Sequence, residues 1–181
     1  PDGRRVAYGQ GTDLWVADLA TGTRQLLVSG QLKEPNPAVA ARGSGPTWSP
    51  DGEMLAFMCG DDLCVVPADG GEPRVIGAGL ENPEWSPDGD LLVGEHWSGP
   101  QDDTPDIVLH RLVGNGRLQL IDAQEHSGVL RFPSWAPGGG AIVYSDERSL
   151  FLVDRDGTDR VKLTSGERDL MPDWGPGAAD P

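Results

Sequence analysis

The sequence predicts an all-β fold, a β-propeller of four-stranded antiparallel blades, from three observations. A Pro-x-Trp-x-Pro motif occurs four times in the 181 residues, and Asp-Gly or Gly-Gly follows it in the first three copies. Short runs of β-branched, aromatic and leucine residues lie between turn signals along the whole chain. In addition, 26 glycines and 16 prolines interrupt the chain too often for long helices.

The motif copies divide the chain into repeats, predicted at about 1–44, 45–81, 82–131 and 132–174 of a single propeller domain or fragment. Their tryptophans are Trp48, Trp85, Trp135 and Trp174. We expect each tryptophan to pack between neighbouring blades, because a large flat ring stands at one fixed place in every repeat.

Each repeat contains four predicted strands, A to D. Strand A carries the tryptophan, strand B follows the Pro-Asp-Gly turn, and strand D follows a second turn. That second turn is Asp-Gly or Asn-Gly in three repeats, which is the strongest short signal for a hairpin. The third repeat departs from the pattern, since it has Gly94 where the others have Tyr8, Phe57 or Tyr144, and it holds an insertion.

The first repeat is split between the two ends of the chain. Residues 4–28 supply strands B, C and D, whereas residues 169–174 supply a strand A. The C-terminal strand can join the other three and close a four-bladed ring, which would cover exposed edge strands. Alternatively, the sequence is a slice of a larger propeller. We expect the slice, because the chain begins inside a motif.

The string Trp-Ser-Pro-Asp-Gly, followed by Leu-Ala-Phe, Leu-x-Val and Asp-Gly-Gly, resembles the WD-like repeats of the TolB family of propellers. The resemblance covers essentially the whole chain. It implies blades around a central channel, in a larger number than the repeats present here. It does not imply a single function, since that family includes periplasmic interaction proteins, sensor domains and the gating propellers of prolyl-oligopeptidase-like peptidases.

The formal net charge of −15 excludes two classes of partner. Nucleic-acid backbones are bound by Lys and Arg, and anionic membranes attract basic segments, so an acidic protein suits neither. No apolar run approaches the roughly 20 residues that span a bilayer. We therefore expect no nucleic-acid partner and no membrane insertion, and the oligomeric state stays open.

The sequence shows no catalytic motif. It has no Gly-x-Ser-x-Gly, no zinc-type Cys/His spacing, no phosphate loop and no dinucleotide fingerprint, and its three histidines are scattered. We therefore expect a protein that is not an enzyme and needs no cofactor. If the chain belongs to a peptidase, the catalytic domain lies outside these residues.

Two acidic segments are candidates for cation binding. Residues 154–159 resemble the opening of a calcium loop, but they lack the distal bidentate Glu and occupy the place of an ordinary hairpin turn. The second candidate is an oxygen-rich cluster at the insertion of the third repeat, formed by Glu95, His96, Asp102, Asp103 and Asp106. An exposed loop kept soluble by charge is the preferred interpretation of that cluster, so no metal site is predicted.

Cys59 and Cys64 flank the B–C turn of the second repeat. If the turn is symmetric, the two residues face each other and a disulfide is possible, which would indicate an oxidising compartment. However, Cys64 stands where other repeats have Trp15 or Phe151, which favours a buried apolar thiol. The thiol is the preferred interpretation.

Loop lengths indicate which face binds. Antiparallel order places the A–B and C–D turns at one end of each blade and the B–C and D–A connections at the other. Every insertion falls in the second set, and long loops on a rigid scaffold are where binding usually resides. The candidate partner-binding residues in these loops are Lys33, Glu34, Asn36, His96, Trp97, Asp102, Asp103, Glu125 and His126.

The sequence therefore predicts a non-catalytic propeller that binds a protein or peptide partner through this face and the channel mouth. We expect it to act as a scaffold or sensor module of an extracytoplasmic protein, such as a periplasmic one. One alternative is the substrate-gating propeller of a prolyl-oligopeptidase-like serine peptidase. Another is a propeller that binds a small molecule or a cation.

Overall fold

The computed structural model describes residues 3–32, 45–78, 80–97, 104–112, 117–122, 128–166, 168–172 and 174. Within these ranges it confirms the all-β propeller fold, with fifteen strands in four antiparallel sheets. No residue in these ranges is helical, and the described residues therefore contain no helix that could cross a membrane.

Each sheet is built from strands that pair in chain order. The first contains β1 (Arg5–Gln10), β2 (Asp13–Asp18) and β3 (Arg24–Val28). The second contains β4 (Thr47–Trp48), β5 (Met54–Cys59), β6 (Asp62–Pro67) and β7 (Arg74–Ala78). The third contains β8 (Glu81–Trp85), β9 (Leu91–His96), β10 (Asp106–Arg111) and β11 (Arg117–Ile121). The fourth contains β12 (Arg131–Trp135), β13 (Ala141–Ser145), β14 (Leu150–Asp154) and β15 (Val161–Lys162).

Apolar side chains join neighbouring sheets through three core clusters, between the first and second, second and third, and third and fourth sheets. The middle strands of the second and third sheets are buried on both faces. In β9, for example, Leu92 packs in the cluster shared with the second sheet, whereas Leu91 and Val93 pack in the cluster shared with the fourth. Because both faces are covered, these strands are continuous apolar runs rather than alternating ones.

The Trp-Ser-Pro-Asp-Gly segment forms the tight turn between strands A and B. In the second sheet the Ser49 hydroxyl donates to Asp51 (Oγ to Oδ1, 2.5 Å), and the Gly52 amide donates to the Ser49 carbonyl. Gly52 has a φ of 74°, which glycine adopts without steric cost. The fourth sheet keeps the same backbone bond, from Gly139 to the Ala136 carbonyl, without the serine and aspartate. The backbone hydrogen bond and the glycine therefore define the turn, and the serine and aspartate side chains stabilise it further.

The repeat tryptophan links neighbouring blades, as the sequence predicts. The indole Nε1 of Trp85 donates to the Thr47 carbonyl at 3.1 Å, and that of Trp135 donates to the Glu84 carbonyl at 3.3 Å. In both cases the acceptor is the residue just before the tryptophan of the preceding blade. Both rings are buried in the cluster between the two sheets.

Trp174 makes the same contact with the fourth sheet, since its Nε1 donates to the Ser134 carbonyl at 3.3 Å. The C-terminal segment therefore takes the place of a strand A beside the fourth sheet. Over the described residues, however, β1 pairs with β2 alone. The pairing of residues 169–174 with residues 4–8, which would close a four-bladed ring, is not observed there.

Gly94 departs from the repeat pattern because a neighbouring side chain fills its space. A Cβ at this position would lie 2.9 Å from the Glu81 carbonyl oxygen and 3.0 Å from the Leu80 Cβ. Leu80 is fully buried, as are Phe57 and Tyr144 at the equivalent positions of other blades. In the third blade, Leu80, which directly precedes strand A, thus occupies the space that an aromatic side chain of strand B occupies in other blades.

Cys59 and Cys64 form a disulfide, so the preference for a free thiol at Cys64 is wrong. The two residues are not directly opposite, because Phe57 faces Cys64 and Cys59 faces Asp62. They are diagonal neighbours with Cα atoms 5.8 Å apart, which is within the range of disulfides. Cys64 is nevertheless buried, in keeping with its alignment to aromatic positions.

An ion pair joins the third and fourth sheets at the end opposite the long loops. The Arg155 guanidinium donates to the Asp88 carboxylate, which also accepts a hydrogen bond from the Ser86 hydroxyl at 2.6 Å. The hydrogen bond from Arg155 and then the one from Ser86 lower the pKa of Asp88 from 3.8 to about 2. The charged form of Asp88 therefore stabilises the folded state.

We expect Asp88→Asn to reduce the acid sensitivity of the fold. A carboxyl group with a lowered folded pKa stabilises the protein above its unfolded pKa, and this contribution is lost as the pH falls from 3.8 to about 2. The Asp88 and Arg155 side chains are 44% and 35% exposed, so solvent screening limits the effect to about 1 kcal/mol or less. Urea unfolding of both proteins across this pH range measures it. Identical pH dependence in the two proteins would contradict the assignment.

Candidate functional site

A pocket of about 420 Å³ opens among the innermost strands, at the end of the blades that carries the B–C and D–A connections. We call it the channel-mouth pocket, because the first strand of each blade borders the central channel of a propeller. Its lining residues are Asn82, Pro83, Glu84, Phe132, Pro133, Ser134, Met171 and Pro172. They come from β8, from β12 and from the C-terminal segment, so three successive repeats contribute.

Three lining residues share a rare backbone conformation. Asn82, Phe132 and Met171 have φ values of 51°, 52° and 55°, and each lies three residues before a repeat tryptophan. A register shift accompanies this conformation within β8 and within β12. Left-handed conformations cost energy in residues other than glycine, and both they and β-bulges are concentrated at functional sites. Their recurrence around one pocket marks it as the candidate site.

A buried carboxylate holds two of these residues in place. Glu95, at 0% exposure, accepts from Asn82 Nδ2 at 3.0 Å and from the Phe132 amide at 2.9 Å, both at Oε1. Its Oε2 accepts from Arg131 Nη1 at 2.9 Å. Three donors compensate the cost of burying this charge. Glu95 therefore connects the inner strand of its own blade with that of the next.

Arg131 extends this network to the loops of the same face. Its guanidinium carbon lies 4.9 Å from the centroid of the Trp97 ring, a cation–π contact. Its Nε lies 4.0 Å from Glu147 Oε1, in the B–C turn of the fourth blade. One arginine thus connects the B–C loops of two blades with the start of an inner strand.

Glu84 makes a second contact between blades. Its Oε1 accepts from the Trp135 amide at 3.1 Å and from the Ser134 hydroxyl at 3.4 Å. The Glu84 carbonyl accepts from the Trp135 indole, as described above. The side chain and the backbone of one pocket residue therefore both fix the inner strand of the next blade.

The structure places two of the nine predicted binding residues, His96 and Trp97, on this face. His96 is 8% exposed at the end of β9, and Trp97 is half-buried under Arg131. The other seven lie outside the described residues: Lys33, Glu34, Asn36, Asp102, Asp103, Glu125 and His126. Trp97 touches the network around the pocket, whereas His96 pairs with Asp106 across the β9–β10 ladder.

The acidic cluster of the third repeat does not form an exposed loop at Glu95, His96 and Asp106. All three are strand residues, and the Glu95 carboxylate is bound to Arg131. The interpretation of Glu95 as a loop residue is therefore wrong, and Asp102 and Asp103 lie outside the described residues. Across the ranges that the structure describes, no group of three or more His, Cys, Asp or Glu side chains is arranged to hold a metal ion.

Residues 154–159 form the predicted hairpin turn. The Asp154 amide donates to the Thr158 carbonyl at 3.0 Å, and the Gly157 amide donates to the Asp154 carbonyl at 2.8 Å. The Asp156 carboxylate accepts from the Thr158 amide and hydroxyl. These bonds use the acidic residue to stabilise the turn.

Sequence reasoning missed most of the residues that shape the pocket, because they lie in or beside the motif strands rather than in the long loops. They are Asn82, Glu84, Arg131, Phe132 and Met171, whereas Glu95, on β9, was considered only as part of a possible cation-binding cluster. Two signals point to them. Proline precedes every repeat tryptophan by two residues, and because proline has no backbone N–H, it indicates that strand A is an edge strand with no amide donor at that position. Glu95 is a charged residue in an otherwise apolar strand, where other blades have Met58 or Ser145.

Successive antiparallel sheets linked by one tryptophan per repeat are the architecture of a β-propeller. Comparison with solved structures shows further that the fold is TolB-like. A TolB-like protein from Agrobacterium tumefaciens matches 91% of this chain over 59% of its own length, with 22% identity and a TM-score of 0.68.

Two further solved structures of other proteins also match. A chain of a nidogen–laminin complex matches 92% of this chain over 63% of its length, with 17% identity and a TM-score of 0.65. A prolyl endopeptidase matches 90% over 30% of its length, with 16% identity and a TM-score of 0.61. The chain thus spans less than two thirds of each, and identities this low establish the fold alone. No protein-family model and no curated protein matches the sequence.

Proposed function

We propose that this chain is a non-catalytic propeller module that binds a protein or peptide partner at the channel-mouth pocket and the loops around it. The observation that carries the proposal is the left-handed backbone conformation repeated at Asn82, Phe132 and Met171 around one pocket. Glu95 holds two of these residues from within the core. A surface fixed in this way loses little conformational freedom on binding, which favours affinity.

The size and chemistry of the pocket suit part of a peptide. Its volume of about 420 Å³ is open to solvent rather than enclosed, so a side chain of a longer peptide can enter it. Met171 is 69% exposed and Phe132 is half-buried, so the pocket offers apolar contact area to a partner. Apolar contacts surrounded by polar groups are characteristic of the centre of protein interfaces.

The charged side chains at the pocket support binding rather than catalysis. Glu84 accepts hydrogen bonds from the next inner strand, and Glu95 is buried against Arg131. The hydrogen bonds that these two carboxylates accept position neighbouring blades, and Glu84 also lines the pocket. The nidogen–laminin chain is part of a protein–protein complex, which supports the same proposal by analogy alone.

Selection of short random peptides displayed on phage, with the full chain as the immobilised target, tests this function. We expect Phe132→Asn to weaken the selected peptides by about tenfold or more, since it removes the ring and retains a residue that tolerates a positive φ. Leu19→Asn is the matched control, because Leu19 is 62% exposed at the opposite end of the first blade. Peptides that bind both variants equally, or failure to select any peptide, would refute the proposal.

We also propose an extracytoplasmic location for the protein. The Cys59–Cys64 disulfide supports it, because disulfides persist in oxidising compartments and are rare in the cytosol. Alkylation of thiols in the protein taken from its native cells should find both cysteines blocked. Two reactive thiols would overturn this location.

A further inference from the structure

We propose that the channel-mouth pocket recognises a basic side chain, a lysine or an arginine, of its peptide partner. This inference rests on the proposed function, because it names the chemistry that the same site selects. The hydrogen-bonding groups, the charge and the apolar surface of the pocket support it.

The pocket is poor in hydrogen-bond donors. Pro83, Pro133 and Pro172 line it, and proline has no backbone N–H. The amides of Phe132 and Trp135 are already used, since they donate to the carboxylates of Glu95 and Glu84. The carbonyls of Glu84 and Ser134 already accept from the Trp135 and Trp174 indoles, so the acceptors that the pocket offers are the carbonyls of its other lining residues and the Glu84 carboxylate. A ligand that brings its own N–H donors complements such a surface.

The charge around the pocket is negative. The groups that line it or contact its lining include the carboxylates of Glu84 and Glu95, and that of Glu147 lies beside Arg131. Arg131 is committed to Glu95 at 2.9 Å and stacks on Trp97. The net charge of −15 adds a long-range attraction for cations. A cationic side chain is thus favoured over a neutral donor, and an acidic peptide is repelled.

The apolar part of the pocket fits the rest of such a side chain. Lysine and arginine carry a methylene stem that packs on apolar surface while the charged end reaches polar groups. Phe132, Met171 and the proline rings supply that surface, and Glu84 with the neighbouring carbonyl oxygens lies at the same pocket. The arrangement matches an amphipathic cation better than a small metal ion, which needs several converging oxygen ligands.

The test uses the peptides obtained by phage selection against the full chain. We expect pocket-dependent peptides, meaning those weakened by Phe132→Asn, to be enriched in lysine or arginine. Replacement of the basic residue by citrulline or norleucine, which keep the shape but remove the charge, should weaken binding by about tenfold or more. Glu84→Gln should weaken the charged peptide and leave its neutral counterpart nearly unchanged.

Two matched comparisons separate local charge from overall charge and from misfolding. Asp159→Asn removes a carboxylate at the far end of the fourth blade. The position is exposed and has a φ of 50°, which asparagine tolerates. Because the charge is remote from the pocket, this change should alter peptide affinity less than about twofold. Met171→Lys should weaken the basic peptides far more than Met171→Gln does. Position 171 is exposed, so neither change disturbs the core.

The outcomes distinguish the two proposals. Pocket-dependent peptides that lack basic residues, or that bind equally well with citrulline or norleucine, would overturn the inference and leave the proposed function standing. Peptides rich in acidic residues would do the same. If no selected peptide responds to Phe132→Asn, the proposed function itself fails.

Discussion

Gly77→Ala is expected to destabilise the protein by about 3 kcal/mol, the cost of forcing extra volume into a well-packed core. A Cβ at this position would lie 2.2 Å from Cε1 and 2.5 Å from Nδ1 of the His110 ring. His110 is 3% exposed on β10, and Gly77 is on β7, so the two meet at the boundary between the second and third blades. The ring has no exposed space into which it can turn, and the blades themselves must therefore move apart.

Urea unfolding of the single and double variants measures this effect. Gly138→Ala is the control, because a Cβ there meets nothing within 4 Å and the change should leave stability within about 0.5 kcal/mol. In the double variant Gly77→Ala/His110→Ala, the smaller side chain makes room for the new Cβ. We expect the double variant to be more stable than the sum of the two single effects predicts. Additive effects would show that the two residues do not conflict.

Glu95→Met should cost about 3–5 kcal/mol, because it removes one partner of a buried ion pair. The change leaves the Arg131 guanidinium without its carboxylate, and it leaves the Phe132 amide and the Asn82 side chain without an acceptor. Size is not the cause of the loss, since the second blade holds Met58 at the same repeat position, at 3% exposure. The expected loss is therefore electrostatic.

The control for this prediction removes both charges. Arg131→Met alone should also be strongly destabilising, since it leaves Glu95 charged and buried. The double variant Glu95→Met/Arg131→Met should lose much less stability than the sum of the two single variants, because no uncompensated charge remains. The free energy of unfolding of all three proteins decides the matter. A double variant that loses the full sum would show that the two residues act independently.

The fold could be predicted from the sequence because its determinants are local and repeated. The turn after Trp48 depends on bonds among Ser49, Asp51 and Gly52, which lie within a few residues of one another. Repetition then gives the blade length and the place of the tryptophan. The departure at Gly94 is visible in the sequence, but its cause, the side chain of Leu80, is a tertiary contact.

The pocket could not be predicted in the same way. The backbone at Phe132 is held by Glu95, which is remote in sequence and belongs to another blade. The disulfide was misjudged for a related reason. Whether Cys59 and Cys64 meet depends on the register of the β5–β6 ladder, and alignment to the other repeats emphasised the burial of Cys64 instead. Sequence patterns predict which residues share a strand, whereas long-range contacts determine the backbone conformation within the inner strands.

In three of the tryptophan bonds between blades within the described residues, the acceptor is a backbone carbonyl, contributed in turn by Thr47, Glu84 and Ser134. Because every residue type has a carbonyl, the linkage places no demand on the identity of the side chain that precedes the next tryptophan. A duplicated or exchanged blade could therefore form the same tryptophan-to-carbonyl hydrogen bond with any neighbouring blade. The array can therefore gain or lose whole units during evolution while the residues of each unit diverge, as Thr47, Glu84 and Ser134 already have.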